Sequence, residues 1–297
     1  MDLSKIDTEQ RNPRTLNIDA VPTRDMLKMI NSEDARVAAA VDKIIPDISR
    51  AVDAMTEKFV RGGRIIYVGA GTSGRLGFLD AAESVPTFGI KEGRITGLIA
   101  GGPEAMRRAV EGAEDDTGLC EQDLKKIQFT AGDVLVGLAA SGRTPYVVGG
   151  LKYARSIGAR TVSVTCNPSG VMNRIVDFPI ACEVGPEVIT GSTRMKSGTA
   201  QKMILNMMST AIMIKDNKVF SNLMINVQPT NGKLRERARR IVMEITGAAA
   251  QEASGLLDQC SYQVPVAIVA KMAGVDTATA GQRLKQAGGN LRRALRN

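Results

Sequence analysis

The sequence contains no histidine and no tryptophan, and phenylalanine and tyrosine together supply only ten of its 297 residues. The missing histidine excludes Ser-His-Asp triads, histidine-held zinc and imidazole acid–base chemistry. Any general base must then be Glu, Asp, Lys, Tyr or Cys. The four cysteines, Cys120, Cys166, Cys182 and Cys260, are far apart and form no CxxC pair. They read as reduced structural thiols, and a cysteine metal site is not expected. No apolar run approaches the roughly 18 residues that a membrane span needs, and the opening MDLSKIDTEQRNP lacks the apolar stretch of a signal peptide. These absences lead to the expectation of a cytoplasmic protein without membrane association.

The chain carries a net charge of +8, and its tail holds most of the excess. Gly232 to Asn297 contains eleven Lys/Arg against five Asp/Glu. Such a tail suits an anion or nucleic acid, but it has almost no aromatics for base stacking. A solvated surface of amphipathic helices is the better reading, with no nucleic-acid partner.

Five short strand patterns, Ile65–Val68, Ile95–Ala100, Val134–Ala139, Thr161–Thr165 and Val176–Ala181, are separated by helical ones. Helices are expected near Gly74–Ala82, Pro103–Arg108, Glu114–Lys126 and Pro145–Ile157. Several of the strands lack polar alternation. The pattern is that of an α/β protein with a doubly wound, mainly parallel sheet buried between helices. Ahead of it, residues 1–22 read as an extended arm. Thr23 and Ser32 are each placed to cap a helix, and a further helix is expected from about Ile48 to Phe59. Beyond the sheet come a Met-rich helix, Ser197–Lys215, a basic helix, Lys233–Ile245, and three short helical patterns that suit a small bundle. Expected boundaries are therefore 1–54 for the arm and first helices, 55–220 for the main domain and 221–297 for the tail.

The chemistry concentrates in loops. Gly69-Ala-Gly71-Thr-Ser-Gly74 follows the first strand and fits GxGxxG, but the acidic residue that holds a nicotinamide ribose is missing where the next strand ends in Ala100-Gly101-Gly102. A second loop decides the matter. Val134–Ala139 runs into Ala140-Ser141-Gly142-Arg143-Thr144-Pro145, so two strands end in a small residue followed by Ser-Gly-Arg. A third segment, Thr190–Thr199, is again rich in hydroxyls and glycine. Any one loop reads equally well as a helix cap. Together they suit a single phosphate on a sugar, held by backbone N–H groups and hydroxyls with Arg143 or Lys196 balancing charge. Glu83 and Glu114 are the carboxylates available for proton transfer, although the same residues read as a solvated helix end and a helix-dipole partner.

Gly69-Ala-Gly-Thr-Ser-Gly-Arg-Leu-Gly77, Ala140-Ser-Gly-Arg-Thr-Pro-Tyr146 and Thr190-Gly-Ser-Thr-Arg-Met-Lys-Ser-Gly-Thr-Ala-Gln-Lys202 resemble the sugar isomerase domain of N-acetylmuramic acid 6-phosphate etherases. Thr8–Pro13, Ile99–Gly102 and Val110–Asp115 fit as well, so the resemblance covers nearly the whole chain. It extends to a small ubiquitin-associated-like domain at the end, around Gly288-Gly289-Asn290-Leu291-Arg292. Two segments depart from the family pattern. Asp80-Ala-Ala-Glu-Ser-Val-Pro86 stands where the family has Asp-Ala-Ser-Glu-Cys-Pro-Pro, and Asn231-Gly-Lys-Leu234 stands where it has Asn-Glu-Lys-Leu.

The resemblance implies a homodimeric lyase that removes the lactyl ether of N-acetylmuramic acid 6-phosphate, without metal or nicotinamide. It implies that Glu83 and Glu114 are catalytic. Thr72, Ser73, Gly74, Ser141, Gly142, Arg143 and Thr144 would hold the phosphosugar, with Ser192 and Lys233 completing the set. Two other functions suit the same loops: an aldose–ketose phosphosugar isomerase, and a non-catalytic sugar-phosphate sensor like the glucokinase regulatory protein.

Overall fold

The computed structural model describes residues 9–108, 110–229 and 231–296. The first eight residues of the expected arm, Thr8 among them, lie outside the described residues. The chain falls into two compact units, Met1–Ala82 with Gly93–Ser209, and Glu83–Glu92 with Thr210–Asn297.

The first unit is built on a five-stranded, wholly parallel sheet in the order β2-β1-β3-β4-β5. Its strands are β1 (Ile65–Gly69), β2 (Ile95–Ile99), β3 (Val134–Leu138), β4 (Arg160–Thr165) and β5 (Phe178–Ala181). β1 and β3 are buried along their whole length, which is why their sequences read as unbroken apolar runs. Ile66, Val68 and Leu135 pack under Tyr146, Val147 and Leu151. Those three belong to α5 (Pro145–Ser156), which starts from proline at its first position. β5 starts two residues later than the apolar pattern suggests, because the Asp177 carboxylate accepts from the backbone N–H and hydroxyl of Thr161.

Ahead of the sheet lie α1 (Thr23–Asp42) and α2 (Ile45–Val60). Neither expected cap is made. Thr23 is the first residue of α1, after Pro22, and no side chain caps that end. Ser32 lies exposed in the middle of the same helix. The buried stripe Glu33, Val37, Val41, spaced four residues apart, carries the helix past it. The break comes instead at Lys43 and Ile44, just before Pro46 at the start of α2. The expected helix at Pro103–Arg108 is a 3-10 turn, Gly102–Met106.

Glu33 is charged and buried, 2% exposed. It accepts from Asn12 Nδ2 at 2.9 Å, Arg14 Nη2 at 2.9 Å and Lys196 Nζ at 2.7 Å. Hydrogen bonds from Arg14, above all, hold its carboxyl far below the usual carboxylate range. Lys196 is fully buried and also donates to Val184 O at 3.0 Å. This network ties the arm and α1 to the start of α6 (Lys196–Lys215).

The second unit contains the end of α3 (Gly71–Phe88), the end of α6, a short antiparallel pair and five helices. β6 (Val219–Phe220) pairs with β7 (Leu223–Met224). The helices are α7 (Gly232–Thr246), α8 (Ala250–Gln259), α9 (Val264–Ala273), α10 (Thr277–Gln286) and the single turn α11 (Leu291–Ala294). One more short helix is present than the three expected after α7. α9 buries Val264 and all five residues from Val266 to Ala270, so it forms the centre of the bundle. Asn231, Asp276 and Asn290 cap α7, α10 and α11 by accepting backbone N–H groups. The tail's cations are partly engaged locally: Glu236 pairs with Arg239 and Arg240, and Arg235 and Arg292 lie over the rings of Tyr262 and Phe220. No helix among the described residues is long and apolar enough to cross a membrane. The four cysteines are buried and unpaired.

Removing one partner of a buried ion pair costs about 3–5 kcal/mol, because the other charge is left without compensation. Lys196→Met is expected to lower stability by about 3 kcal/mol, since Arg14 and Asn12 still serve Glu33. The urea midpoint measures this, and an unchanged midpoint would contradict the assigned role.

Candidate active site

In a sheet of order β2-β1-β3-β4-β5, the connections leaving β1 and β3 diverge, and a crevice opens outside their carboxyl ends. Gly69 and Leu138, the last residues of the two strands, are register partners. The two Ser-Gly-Arg loops therefore leave the sheet side by side, roughly 5 Å apart.

The first loop is almost entirely helix. α3 begins at Gly71, so Thr72, Ser73 and Gly74 occupy its first turn. Gly74 N donates to Ala70 O at 3.1 Å, and the N–H groups ahead of it lie at the helix start, where a ligand can take them. Gly74 is required by packing: a Cβ there would lie 2.7 Å from Ile99 Cγ1 and 2.8 Å from Gly69 O. Ser73 Oγ donates to Gln201 Oε1 at 2.8 Å, joining this turn to α6. In the second loop Gly142 has φ +67°, and a Cβ would stand 2.9 Å from Gly170 Cα. Ser141 O accepts from Asn167 Nδ2, and Gly142 O from Met172 N, both at 3.0 Å. Ser141 Oγ takes only a long bond, 3.3 Å, from Arg143 N. Arg143 Nε is buried without a partner among the described residues. Thr144 is half-buried, directly before α5.

The third hydroxyl-rich segment is arranged differently. Buried Glu187 accepts from Lys196 N and Ser197 N at 2.9 Å and from Ser197 Oγ at 2.8 Å. It occupies the start of α6, and Lys196 is committed to Glu33. Lys196 is thus removed as a charge partner for a phosphate, which leaves Arg143. Ser192 is half-buried in the turn before α6, its N–H bonded to Ile189 O. Gly198 does approach the first loop, since a Cβ on it would meet Thr72 Cγ2 at 3.5 Å.

Glu114 does not open a helix. α4 (Leu119–Lys126) starts five residues later, and Asp116 Oδ1 accepts the N–H groups of Gly118 and Leu119. Glu114 sits in the preceding turns with its carbonyl accepting from Tyr146 N at 2.9 Å, which anchors it to the start of α5. Its side chain is exposed and lines a cavity of about 290 Å³ shared with Gly71, Arg75, Arg108 and Glu111. The structure therefore brings Glu114 to the same strand ends as the two Ser-Gly-Arg loops.

Glu83 lies on α3, nine residues beyond Gly74, where the helix has entered the second unit; its side chain is exposed. The helix does not end there but continues through Pro86 to Phe88. Lys233 is exposed in the first turn of α7, also in the second unit. Between Gly74 and Glu83, Asp80 accepts from Tyr67 Oη and Ser209 Oγ, both at 3.0 Å. Burial pushes its carboxyl up to about 6. Native Asp80 thus keeps a proton that the unfolded chain has released, and its contribution to stability falls as pH rises from about 4 to 6.

Residues 47–155 match the model of the glucokinase regulatory protein N-terminal SIS domain. An E. coli CFT073 protein, solved as a complex, superposes over 68% of this chain and 97% of its own, with a TM-score of 0.51 at 15% identity. The first unit is thus a sugar isomerase fold. Over almost its full length the chain is 53% identical to the N-acetylmuramic acid 6-phosphate etherase of Cronobacter sakazakii, covering 99% of both chains. It is 56% identical to that of Clostridium botulinum Loch Maree, over 90% of this chain and 88% of the relative. The chain belongs to the N-acetylmuramic acid 6-phosphate etherase family.

A hydroxyl donating to a charged group contributes about 1.5–3 kcal/mol. Ser141→Ala is expected to weaken binding of a phosphorylated amino sugar at least tenfold and to leave its unphosphorylated analogue unaffected. Calorimetric titration compares the two, and equal weakening would place the phosphate elsewhere.

Proposed function

We propose that this protein cleaves the D-lactyl ether of N-acetylmuramic acid 6-phosphate, giving N-acetylglucosamine 6-phosphate and D-lactate. The observation that carries this reading is the meeting of two phosphate-type loops with Glu114 at one end of the sheet. The family membership supplies the substrate.

The phosphate is held by Ser141, Gly142, Arg143 and Thr144, and the sugar by Thr72, Ser73 and Gly74, with Ser192 and Lys233 as further contacts. In the open-chain sugar the aldehyde makes the C2 proton acidic. A glutamate takes that proton, the C3–O bond breaks, and lactate leaves with a proton on its oxygen. Water then adds to C3 of the unsaturated aldehyde, and a proton returns to C2. The net change is substrate plus water to amino-sugar phosphate plus lactate. Glu83 is the acid–base residue for lactate departure, and Glu114 serves the remaining proton transfers or the addition of water. A carboxylate pair suits this work, because positioned carboxylates accept and return protons without histidine. The functional unit is a homodimer; Leu27 on α1 and Phe78 and Leu79 on α3 stand 58%, 43% and 48% exposed, apolar surface of the kind a second copy covers.

Glu83→Gln and Glu114→Gln are each expected to lower kcat by about 10²–10⁴-fold while leaving the affinity for N-acetylglucosamine 6-phosphate unchanged. Proton exchange at C2 in deuterated water separates the roles: exchange that persists in one variant assigns the C2 base to the other glutamate. Full lactate release by either variant would remove that residue from the mechanism.

A further inference from the structure

The proposed substrate carries two anions, a phosphate on C6 and the lactyl carboxylate on C3, separated by the length of the sugar. The site has two Ser-Gly-Arg loops. The loop after β3 takes the phosphate, with Arg143. Arg75, its counterpart in the loop after β1, has no task in the reaction described above. We propose that Arg75 binds the lactyl carboxylate and is the residue by which the site distinguishes the etherase substrate from the sugar phosphate it produces. This rests on the etherase reading.

The position of Arg75 is not explained by the helix that carries it. It is the fifth residue of α3, just past the first turn and near the end where the helix dipole offers a cation nothing favourable. Among the described residues it forms no ion pair. Its Nε donates a long bond, 3.3 Å, to Met106 O, which orients the guanidinium and leaves the two amino groups to form a fork that fits a carboxylate. It is half-buried, and it lines the cavity that Glu114 lines.

The charges around that cavity sharpen the assignment. Glu111 and Glu114 also line it, so a carboxylate entering without a cation would be repelled. Arg108 is also there, but Glu104 holds its Nε at 2.8 Å and its side chain is 75% exposed. Arg75 is the cation held in place. The cavity of about 290 Å³ has room for a three-carbon acid arm on the β2 side of β1, while the phosphate loop lies on the β3 side. A sugar lying across the end of β1 therefore meets one cation at each end. Held in this way, the departing lactate stays aligned until its oxygen is protonated.

The test compares Arg75→Ala and Arg75→Lys with the unaltered protein. Two quantities are read: kcat/KM for lactate release from N-acetylmuramic acid 6-phosphate, and the Kd of N-acetylglucosamine 6-phosphate, which lacks the lactyl arm. Arg75→Ala is expected to lower kcat/KM at least 30-fold, mainly through KM, with the Kd unchanged within twofold. Arg75→Lys is expected to recover part of the loss. An unchanged Kd also shows that the variant is folded. Equal weakening of both ligands in both variants, or no change in KM, would overturn the proposal. Absence of lactate release from the unaltered protein would instead overturn the etherase reading, and that is seen before any variant is made.

Discussion

The parallel pairing of β1 with β3 is the constraint on which the site depends. These strands are neighbours in space but are separated in sequence by β2 and the turns that follow it. Their connections therefore diverge, and a crevice opens outside their carboxyl ends. Both strands are fully buried, so their register cannot slip without exposing apolar side chains. That fixed register sets the spacing between the two Ser-Gly-Arg loops and hence the length of ligand that can bridge them. Thr72, Ser73, Ser141 and Thr144 gain their meaning from it; on loops set apart, each would be only a cap.

A second layer keeps the crevice open to ligand. Helix starts attract carboxylates, and two of those near the site already have one. Glu187 holds the start of α6, and Asp116 takes the N–H groups at the start of α4. Glu33 then absorbs Lys196, which is fully buried. Among the described residues the start of α3 and the loop after β3 have no such carboxylate, and Arg143 Nε has no partner. Glu114, relieved of capping by Asp116, projects into the cavity. The anion site is thus defined as much by where carboxylates already sit as by where hydroxyls collect.

Much of this was legible in the sequence, for reasons that differ by element. The parallel sheet could be read because burial on both faces leaves strands such as Ile65–Val68 without polar alternation. The two central loops could be read because each repeats Ser-Gly-Arg after a strand. The Glu33–Lys196 pair could not, since its members lie 163 positions apart and neither has a local partner pattern. For the same reason Lys196 was a plausible phosphate ligand until its burial was visible. Ser32 looked like a cap because residue type is a local signal; the Glu33–Val37–Val41 stripe that overrides it gains its force from packing. Glu114 and Asp116 are indistinguishable by type, and only the backbone geometry separates the one that caps from the one that faces the cavity. Arg75 carried a signal that was within reach: the same triplet occurs in both loops, and only one copy is needed for a phosphate.

The central claim is that this site breaks the C3–O bond by elimination and replaces it by hydration. The most direct measurement is mass spectrometry of both products after turnover of N-acetylmuramic acid 6-phosphate in oxygen-18 water, with the sugar fragmented because its aldehyde oxygen exchanges. The account predicts lactate whose hydroxyl oxygen is unlabelled, and label at C3 of the amino-sugar phosphate. Label in the lactate hydroxyl with none at C3, or saturable sugar-phosphate binding with no lactate at all, would contradict it.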